Sequence, residues 1–354
     1  MPTEPSGLTS EHSLLLHIGP RKTGTTAIQQ ALATRRDELR AHGVIYPGRS
    51  QQHFRAVNRL IGRRQLWEED HEAPVVEETW RTLVEEIGNA PRGVISTEIL
   101  SQARENDVRR VVGSFAGRTV TVVITYRPFE MLLSSTWQQL VKEGLRDPLD
   151  EWSRRAVIDH PEESHAPFPR VLDVATLVDI WGGVVGLENV VVALVDRARP
   201  LTIFNAFEEL LGLPDGFLVP TDVESRKRSL TAQEAELLRQ TNLLLPRDSV
   251  TLKQQRYLRR LASKWVDEHP PCSSDTPLVL PADVIEQARV RSGAMVESLR
   301  SVAGRVRVYG DLESLVASRD SAAADPGTPT NVDVALAAEW LAGIIASLPS
   351  PEDE

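Results

Sequence analysis

Four short segments of the chain consist mainly of apolar and β-branched residues, and each is long enough for one buried strand. These segments are Leu14–Ile18, Gly93–Ser96, Thr119–Thr125 and Asn189–Val195. Strands that are apolar on both faces are typical of a parallel sheet that helices cover on both sides. A brief extended segment at 44–47 adds a further short element.

Amphipathic segments with helical spacing separate these strands. The predicted helices cover about 25–41, a stretch opening at 51–54, 75–87, 107–115, 128–143, 148–158, 171–181, a helix closing at Gly212, and then 231–245, 250–268, 282–303 and 333–347. Strands that alternate with helices predict an α/β fold with three layers, α/β/α, around a central parallel sheet. The part after about residue 220 is predicted to be mostly helical.

Composition divides the chain into four parts. Residues 1–12 are polar and acidic and are predicted to form a flexible tail, and residues 13–317 are predicted to form one α/β domain. Residues 318–331 are rich in Ser, Ala, Asp, Gly and Pro, as is typical of a linker. Residues 332–354 are predicted to form a C-terminal helix and tail, and packing of that helix on the main domain is favoured over binding of a partner.

Charge and cysteine content narrow the class of protein. The net charge of −10 argues against a general nucleic-acid binder. The single cysteine, Cys272, excludes an intrachain disulfide and indicates a reduced compartment. No apolar run reaches the ~20 residues that span a membrane, so we expect a cytoplasmic, soluble protein. The sequence has no familiar metal-binding motif, and no metal is expected.

A loop rich in Gly and Thr follows the first strand and runs directly into a predicted helix. The first N–H groups of a helix lack internal partners and carry partial positive charge, so such a loop binds anions. Lys22 adds a full charge inside the loop. Unlike a Walker A sequence, the lysine precedes Gly24, with two threonines after it. An ordinary strand-to-helix turn with a surface lysine is the alternative.

The run Lys22-Thr23-Gly24-Thr25-Thr26 after an apolar strand resembles the 5′-phosphosulfate loop of sulfotransferases that use 3′-phosphoadenosine 5′-phosphosulfate (PAPS). The resemblance implies a P-loop NTPase-like fold of the bacterial and carbohydrate sulfotransferase type. It implies PAPS as the donor and adenosine 3′,5′-bisphosphate as the product, without a metal. The loop residues that it assigns to the donor are Arg21, Lys22, Thr23, Gly24, Thr25 and Thr26.

A second part of the resemblance concerns the 3′-phosphate of PAPS. In these sulfotransferases an arginine ends a strand, and a serine eight positions later lies on the next helix; Arg127 and Ser135 match this spacing. The planar guanidinium donors suit phosphate oxygens. Arg228, in the basic run 226–228, is assigned to the same phosphate, although a charge run is also typical of a solvated face.

Two residues compete for the role of general base. Ser96-Thr97-Glu98 follows a strand, as does a Ser-Ser-Glu-like sequence in many carbohydrate and bacterial sulfotransferases, and the resemblance makes Glu98 the base. His53 is the rival, because cytosolic members of the superfamily use a histidine. The alternative for Glu98 is a helix cap. His17, within the first strand, is interpreted as a core residue.

The sequence therefore predicts a PAPS-dependent sulfotransferase that transfers a sulfuryl group to a hydroxyl or amine of a small-molecule or carbohydrate acceptor. Lys22 and the base, Glu98 or His53, would be catalytic. A P-loop-type small-molecule kinase that uses ATP is one alternative, and a non-catalytic nucleotide-binding member is another. We expect no nucleic-acid partner and no membrane span, and the sequence leaves open whether the protein is a homo-oligomer.

Overall fold

The fold is built on one six-stranded, all-parallel sheet in the order β2-β3-β1-β4-β5-β6. The computed structural model describes residues 12–61, 73–159, 172–196, 199–220, 229–245, 252–269, 277–316 and 332–346. The strands of the described chain are β1 (Ser13–His17), β2 (Val44–Ile45), β3 (Arg92–Ser96), β4 (Thr119–Tyr126), β5 (Val190–Leu194) and β6 (Arg307–Tyr309).

Helices connect the strands, as the alternating sequence pattern predicts. In chain order they are α1 (Thr25–Thr34), α2 (Arg36–Ala41), α3 (Phe54–Leu60), α4 (Ala73–Ile87), α5 (Glu105–Gly113), α6 (Phe129–Lys142), α7 (Leu149–Arg154), α8 (Val174–Val185), α9 (Thr202–Leu211), α10 (Ala232–Leu244), α11 (Leu252–Glu268), α12 (Ala282–Ser301) and α13 (Val334–Ala346). Short 3₁₀ turns occupy Glu98–Gln102, Leu187–Asn189 and Leu312–Leu315, and a π-helical turn occupies Arg155–Asp159. Gly212 closes α9 in the left-handed conformation, as predicted.

Both faces of the sheet are buried, because its strands are apolar at successive positions. On one face Leu15, Val94 and Val123 pack in a cluster with α1 and α9. On the other face Leu14 and Leu16 are fully buried, and α8 packs against β4 and β5 and contacts α5. The prediction of a three-layer α/β/α fold with a central parallel sheet is confirmed.

The register of the central strands brings three chain segments together at one edge of the sheet, the edge formed by the C-terminal ends of the strands. His17, the last residue of β1, lies opposite Ser96 of β3 and Val123 of β4. All strands point the same way, so the segments that follow them emerge together. Ligands of open α/β sheets bind at this edge.

Two details of the predicted secondary structure were wrong. The helix predicted over 25–41 is broken at Arg35, which leaves the helical conformation. Thr34 Oγ1 donates to the carbonyl oxygen of Gln30 at 2.9 Å, a back-bond that bends helices. The strand β6 was not predicted, because three half-buried residues give too short an apolar pattern.

The chain forms two compact units, and the sheet lies in the first. The first unit takes its described residues from 1–132, 164–222 and 290–318, and the second from 133–163, 223–289 and 319–354. Within the second unit, Asn242 Nδ2 donates to the carbonyl oxygen of Val141 at 2.7 Å, and the rings of Trp265 and Trp340 lie 5.0 Å apart. The predicted tail at 1–12 (except His12) and linker at 318–331 lie outside the described residues, so the proposed division at 317 stays a prediction.

Of the helices that the structure describes, none combines the length and the apolar content that a membrane span needs.

Candidate functional site

The loop that joins β1 to α1 has an open helix N-terminus at its end. Gly24 is the N-cap residue of α1, with φ of 78°, and no side chain caps the first turn. Lys22 also has positive φ, at 70°, and its side chain is exposed. Successive backbone N–H groups in such a turn make a concave site for anions. The sequence prediction that this loop binds a phosphate-like group stays a prediction.

The left-handed conformation of Lys22 is held by its neighbours. A non-glycine residue in this region costs on the order of 1–3 kcal/mol and persists only where the surroundings fix it. Thr23 is fully buried, and its Oγ1 donates to the carbonyl oxygen of Pro20 at 2.7 Å. This bond closes the turn around Lys22 and keeps the loop compact.

Gly19 allows the loop to lie directly on the end of β4. A Cβ atom at this position would come within 2.0 Å of Thr125 Oγ1 and 2.6 Å of the Thr125 carbonyl oxygen. Because one of these neighbours is backbone, it cannot turn away. Only glycine fits between β1 and β4 here.

A set of buried polar side chains lies beneath the loop. His17 Nδ1 is 2.8 Å from Ser96 Oγ, and His17 Nε2 is 3.1 Å from Thr125 Oγ1. Thr125 Oγ1 lies 2.8 Å from Thr23 Oγ1. All four residues are at most 1% exposed. His17 is buried, as predicted, but it also links the ends of β1, β3 and β4 to the loop.

Glu98 lies beside α1, at the start of the 3₁₀ turn that follows β3. Its carboxylate accepts from Gln29 Nε2 of α1 at 3.4 Å. With the amide of Gln52 oriented to satisfy its partners, the Gln52 nitrogen donates to Glu98 Oε2 at 2.9 Å. Thr97 caps the 3₁₀ turn and Glu98 is only half-buried. Two amides thus hold the carboxylate one turn along the helix from the loop.

The contacts of Gln29 and Gln52 were not predicted from the sequence. Gln29 is a buried polar residue next to Ile28 on the apolar side of α1, and this mismatch is the signal that could have identified it. Gln51 Nε2 donates to the Thr26 carbonyl oxygen at 3.3 Å, so the segment after β2 lies against the start of α1.

Both ring nitrogens of His53 are engaged with backbone groups. The Ser96 N–H donates to Nδ1 at 3.0 Å, so Nε2 carries the proton and donates to the Pro47 carbonyl oxygen at 2.9 Å. Burial lowers the pKa of His53 to about 4, and the hydrogen bond to the Pro47 carbonyl oxygen partly offsets this effect. The structure therefore gives His53 a full set of partners that tie the segment after β2 to the end of β3.

Arg127 follows β4 directly, and α6 begins two residues later. Its side chain is half-buried and donates through Nη2 to the Met131 carbonyl oxygen. Ser135 is buried on α6, roughly 9 Å along the helix from Phe129. Arg228, the third residue assigned to the 3′-phosphate, lies outside the described residues.

The other loop residues differ in exposure. Thr25 is buried, Thr26 is exposed and Arg21 is half-buried. Among the described residues, no group of three or more His, Cys, Asp and Glu side chains could hold a metal ion.

Two solved structures match most of the length of this chain. A crystal structure of a sulfotransferase from Alicyclobacillus acidocaldarius matches 81% of this chain and 94% of its own, with a TM-score of 0.48 and 13% identity. The sulfotransferase domain from the Synechococcus PCC 7002 olefin synthase matches 82% of this chain and 98% of its own, with a TM-score of 0.30 and 13% identity. No protein-family model and no curated relative matches the sequence. The function of the site therefore has to follow from its own residues.

We expect Gly19→Ala to destabilise the protein by at least about 1–3 kcal/mol, the usual cost of overpacking, because its Cβ would overlap Thr125 backbone. Gly183→Ala is the matched control: Gly183 is an exposed helical residue with no atom near its added Cβ, so alanine should stabilise by about 0.5–1 kcal/mol. Urea unfolding measures both. Equal stability of the two variants would contradict the close approach of loop and strand.

The two buried histidines predict a loss of stability in acid. Burial lowers the pKa of His17 to about 3 and that of His53 to about 4, from an ordinary value of 6.5. Between about pH 6.5 and 4 the unfolded chain therefore binds more protons than the folded protein, and the free energy of unfolding falls as the pH falls. Urea unfolding across this range should show a smaller decrease in His53→Gln than in the wild type. An identical decrease in both would show that His53 is not buried in its neutral form.

Proposed function

We propose that the protein is a PAPS-dependent sulfotransferase that acts on a hydroxyl or amine of a small-molecule or carbohydrate acceptor. One observation carries the proposal: a lysine-bearing anion loop and a carboxylate lie at the same edge of the sheet, connected through α1. Gln29, one turn into α1, donates to Glu98. An anionic donor and a proton acceptor would thus be held side by side.

The loop fits the phosphosulfate end of the donor. The uncapped first turn of α1 offers backbone N–H groups and partial positive charge, and the exposed Lys22 adds a full charge. Thr26 is exposed at the same turn and can add a hydroxyl. When bound, PAPS supplies an activated sulfuryl group whose bond to the 5′-phosphate breaks on transfer to the acceptor.

Arg127 would bind the 3′-phosphate of the donor, and Ser135 is proposed for the same phosphate on the sequence resemblance alone. Arg127 leaves β4 at the sheet edge that also carries the loop, and Ser135 lies on the helix that begins two residues later. A guanidinium binds phosphate through a planar set of donors. Arg228 is proposed as a further contact, on the sequence resemblance alone.

Lys22 would act by stabilising negative charge. A preorganised ammonium beside the phosphate neutralises the charge that develops on the bridging oxygen as the bond to sulfur breaks. Because the backbone of the loop is fixed, the charged site is preorganised before the donor binds, and little reorganisation is needed. Positioning and charge stabilisation are the main contributions that this site can make.

Glu98 is the better of the two proposed bases. Its carboxylate is half-buried beside α1, and its two amide partners donate to it without neutralising its charge. It can accept a proton from an acceptor hydroxyl or amine within hydrogen-bond reach. His53 would have to break a backbone bond first, because Ser96 N–H already occupies its lone pair.

Lys22→Ala should lower kcat by at least ~100-fold, the scale of one preorganised electrostatic group. Sulfuryl transfer from PAPS to a panel of acceptor alcohols, phenols, amines and sugars is the measurement. Lys264→Ala, which removes an exposed lysine in the second unit, should retain the wild-type rate. A Lys22→Ala enzyme with near-wild-type kcat would contradict the role of this lysine.

Glu98→Gln should also lower kcat by ~100-fold or more, because general-base catalysis contributes about 10²–10⁴-fold. The amide keeps the size of the side chain, so the dissociation constant for adenosine 3′,5′-bisphosphate should change by less than about threefold, well under the tenfold that ~1.4 kcal/mol would give. Glu85→Gln, at an exposed position on α4, is the control. An undiminished kcat in Glu98→Gln would show that Glu98 is not the general base.

A binding titration tests the donor itself. Adenosine 3′,5′-bisphosphate should raise the melting temperature, since a ligand at ~100 times its dissociation constant adds about 2.7 kcal/mol, whereas 5′-AMP should do so far less. A rise in melting temperature with ATP and Mg²⁺ but not with the bisphosphate would indicate a kinase and contradict the sulfotransferase proposal. Binding of the bisphosphate without transfer to any acceptor of the panel would indicate a non-catalytic nucleotide-binding protein.

A further inference from the structure

The buried set of Ser96, His17, Thr125 and Thr23 forms one continuous chain of hydrogen bonds, which we name the His17 relay. It runs from the end of β3, across the ends of β1 and β4, to the loop that carries Lys22. It ends at the Pro20 carbonyl oxygen, 2.7 Å from Thr23 Oγ1. No step of the proposed chemistry uses these side chains directly.

The direction of every bond in the relay follows from its last member. The Pro20 carbonyl can only accept, so the single hydroxyl proton of Thr23 points to it. Thr125 must then donate to Thr23, and His17 Nε2–H must donate to Thr125. The remaining nitrogen, Nδ1, accepts from the Ser96 hydroxyl. Reversing the bond between Thr125 and Thr23, or the bond between His17 and Thr125, would leave two oxygens facing each other without a proton.

The relay requires a neutral imidazole with its proton on Nε2. A second proton on Nδ1 would have to be donated to the Ser96 oxygen, and the Ser96 hydroxyl could then no longer donate to His17. Burial lowers the pKa of His17 to about 3, which keeps the ring neutral. The ring also packs edge-on against Phe207 of α9, with centroids 5.0 Å apart, so it cannot easily turn.

We propose that His17 is a positioning residue: its side chain holds the loop that carries Lys22 and the segment that carries Glu98 in fixed positions relative to each other. At one end the relay holds Thr23 and therefore the turn that places Lys22. At the other end it holds Ser96, two residues before Glu98, while the Thr97 N–H donates to the His17 carbonyl oxygen at 3.1 Å. This role rests on the proposed function, because it concerns the placement of Lys22 and Glu98 for the same reaction.

The tautomer can be measured on the wild-type protein without any ligand. With ¹⁵N-histidine labelling, His17 should show a pyrrole-type signal for Nε2 and a pyridine-type signal for Nδ1, unchanged down to about pH 5. The variant His17→Gln assigns the signals by their loss. The Nδ1–H tautomer, or a doubly protonated ring, would overturn the relay even if the protein binds and transfers as proposed.

The pair Thr125→Val and Thr125→Ser tests the effect on the loop. Valine keeps the shape and removes the hydroxyl, so the dissociation constant for adenosine 3′,5′-bisphosphate should rise about tenfold, the scale of one hydrogen bond. Serine keeps the hydroxyl and should restore binding to within about twofold. In Thr125→Val the ¹⁵N signals of His17 should also change, whereas in Thr125→Ser they should match the wild type.

The outcomes separate the two proposals. If Thr125→Val is folded and binds the bisphosphate as the wild type does, the positioning role is wrong and the sulfotransferase proposal is untouched. If the wild type itself does not bind the bisphosphate, the proposed function and its positioning residue fail together, while the ¹⁵N signals still decide whether the relay exists. If Thr125→Val does not fold, the pair His17→Gln and His17→Asn replaces it. His17→Gln retains an amide donor toward Thr125, so it should bind adenosine 3′,5′-bisphosphate more tightly than His17→Asn. Equal affinities of the two variants would overturn the positioning role of His17.

Discussion

The contact between the β1–α1 loop and the end of β4 is the constraint on which the rest of the site depends. Gly19 lies so close to Thr125 that a Cβ atom would overlap its backbone. The same threonine bonds to Thr23, which closes the turn around Lys22. The left-handed conformation of a lysine is costly by itself. At Lys22 the packing of the loop against β4 stabilises this conformation. The loop can therefore present its charge and its helix N-terminus in a fixed position.

The parallel sheet supplies what the loop alone lacks. Because β3, β1 and β4 are neighbours in register, the segments that follow them meet at one edge. Glu98 comes from β3, Lys22 from β1 and Arg127 from β4. Bonds from α1 and from the segment after β2 then fix the carboxylate. The site that we propose for an anionic donor and an adjacent proton acceptor thus consists of residues far apart in the chain.

Much of this could be predicted from the sequence, because strands buried on both faces and a Gly/Thr loop before a helix are local signals. The four long strands, most helices and the placement of Lys22 and Glu98 after strands follow from such signals. The break at Arg35 and the short edge strand β6 do not, since each depends on a few residues in their surroundings. Gln29 as a partner of Glu98, and the chain through His17, depend on contacts between residues up to 108 positions apart. No local pattern carries that information, and a histidine inside an apolar strand could only be assigned to the core.

A crystal structure of the complex with adenosine 3′,5′-bisphosphate tests the central claim most directly. We predict that the 5′-phosphate lies on the N–H groups of Thr25 and Thr26, within reach of the Lys22 ammonium, and that Arg127 binds the 3′-phosphate. The loop should keep its positive φ angles at Lys22 and Gly24, because the packing against β4 sets them before the ligand binds. A nucleotide bound away from the loop, or a 3′-phosphate that does not contact Arg127, would contradict the account.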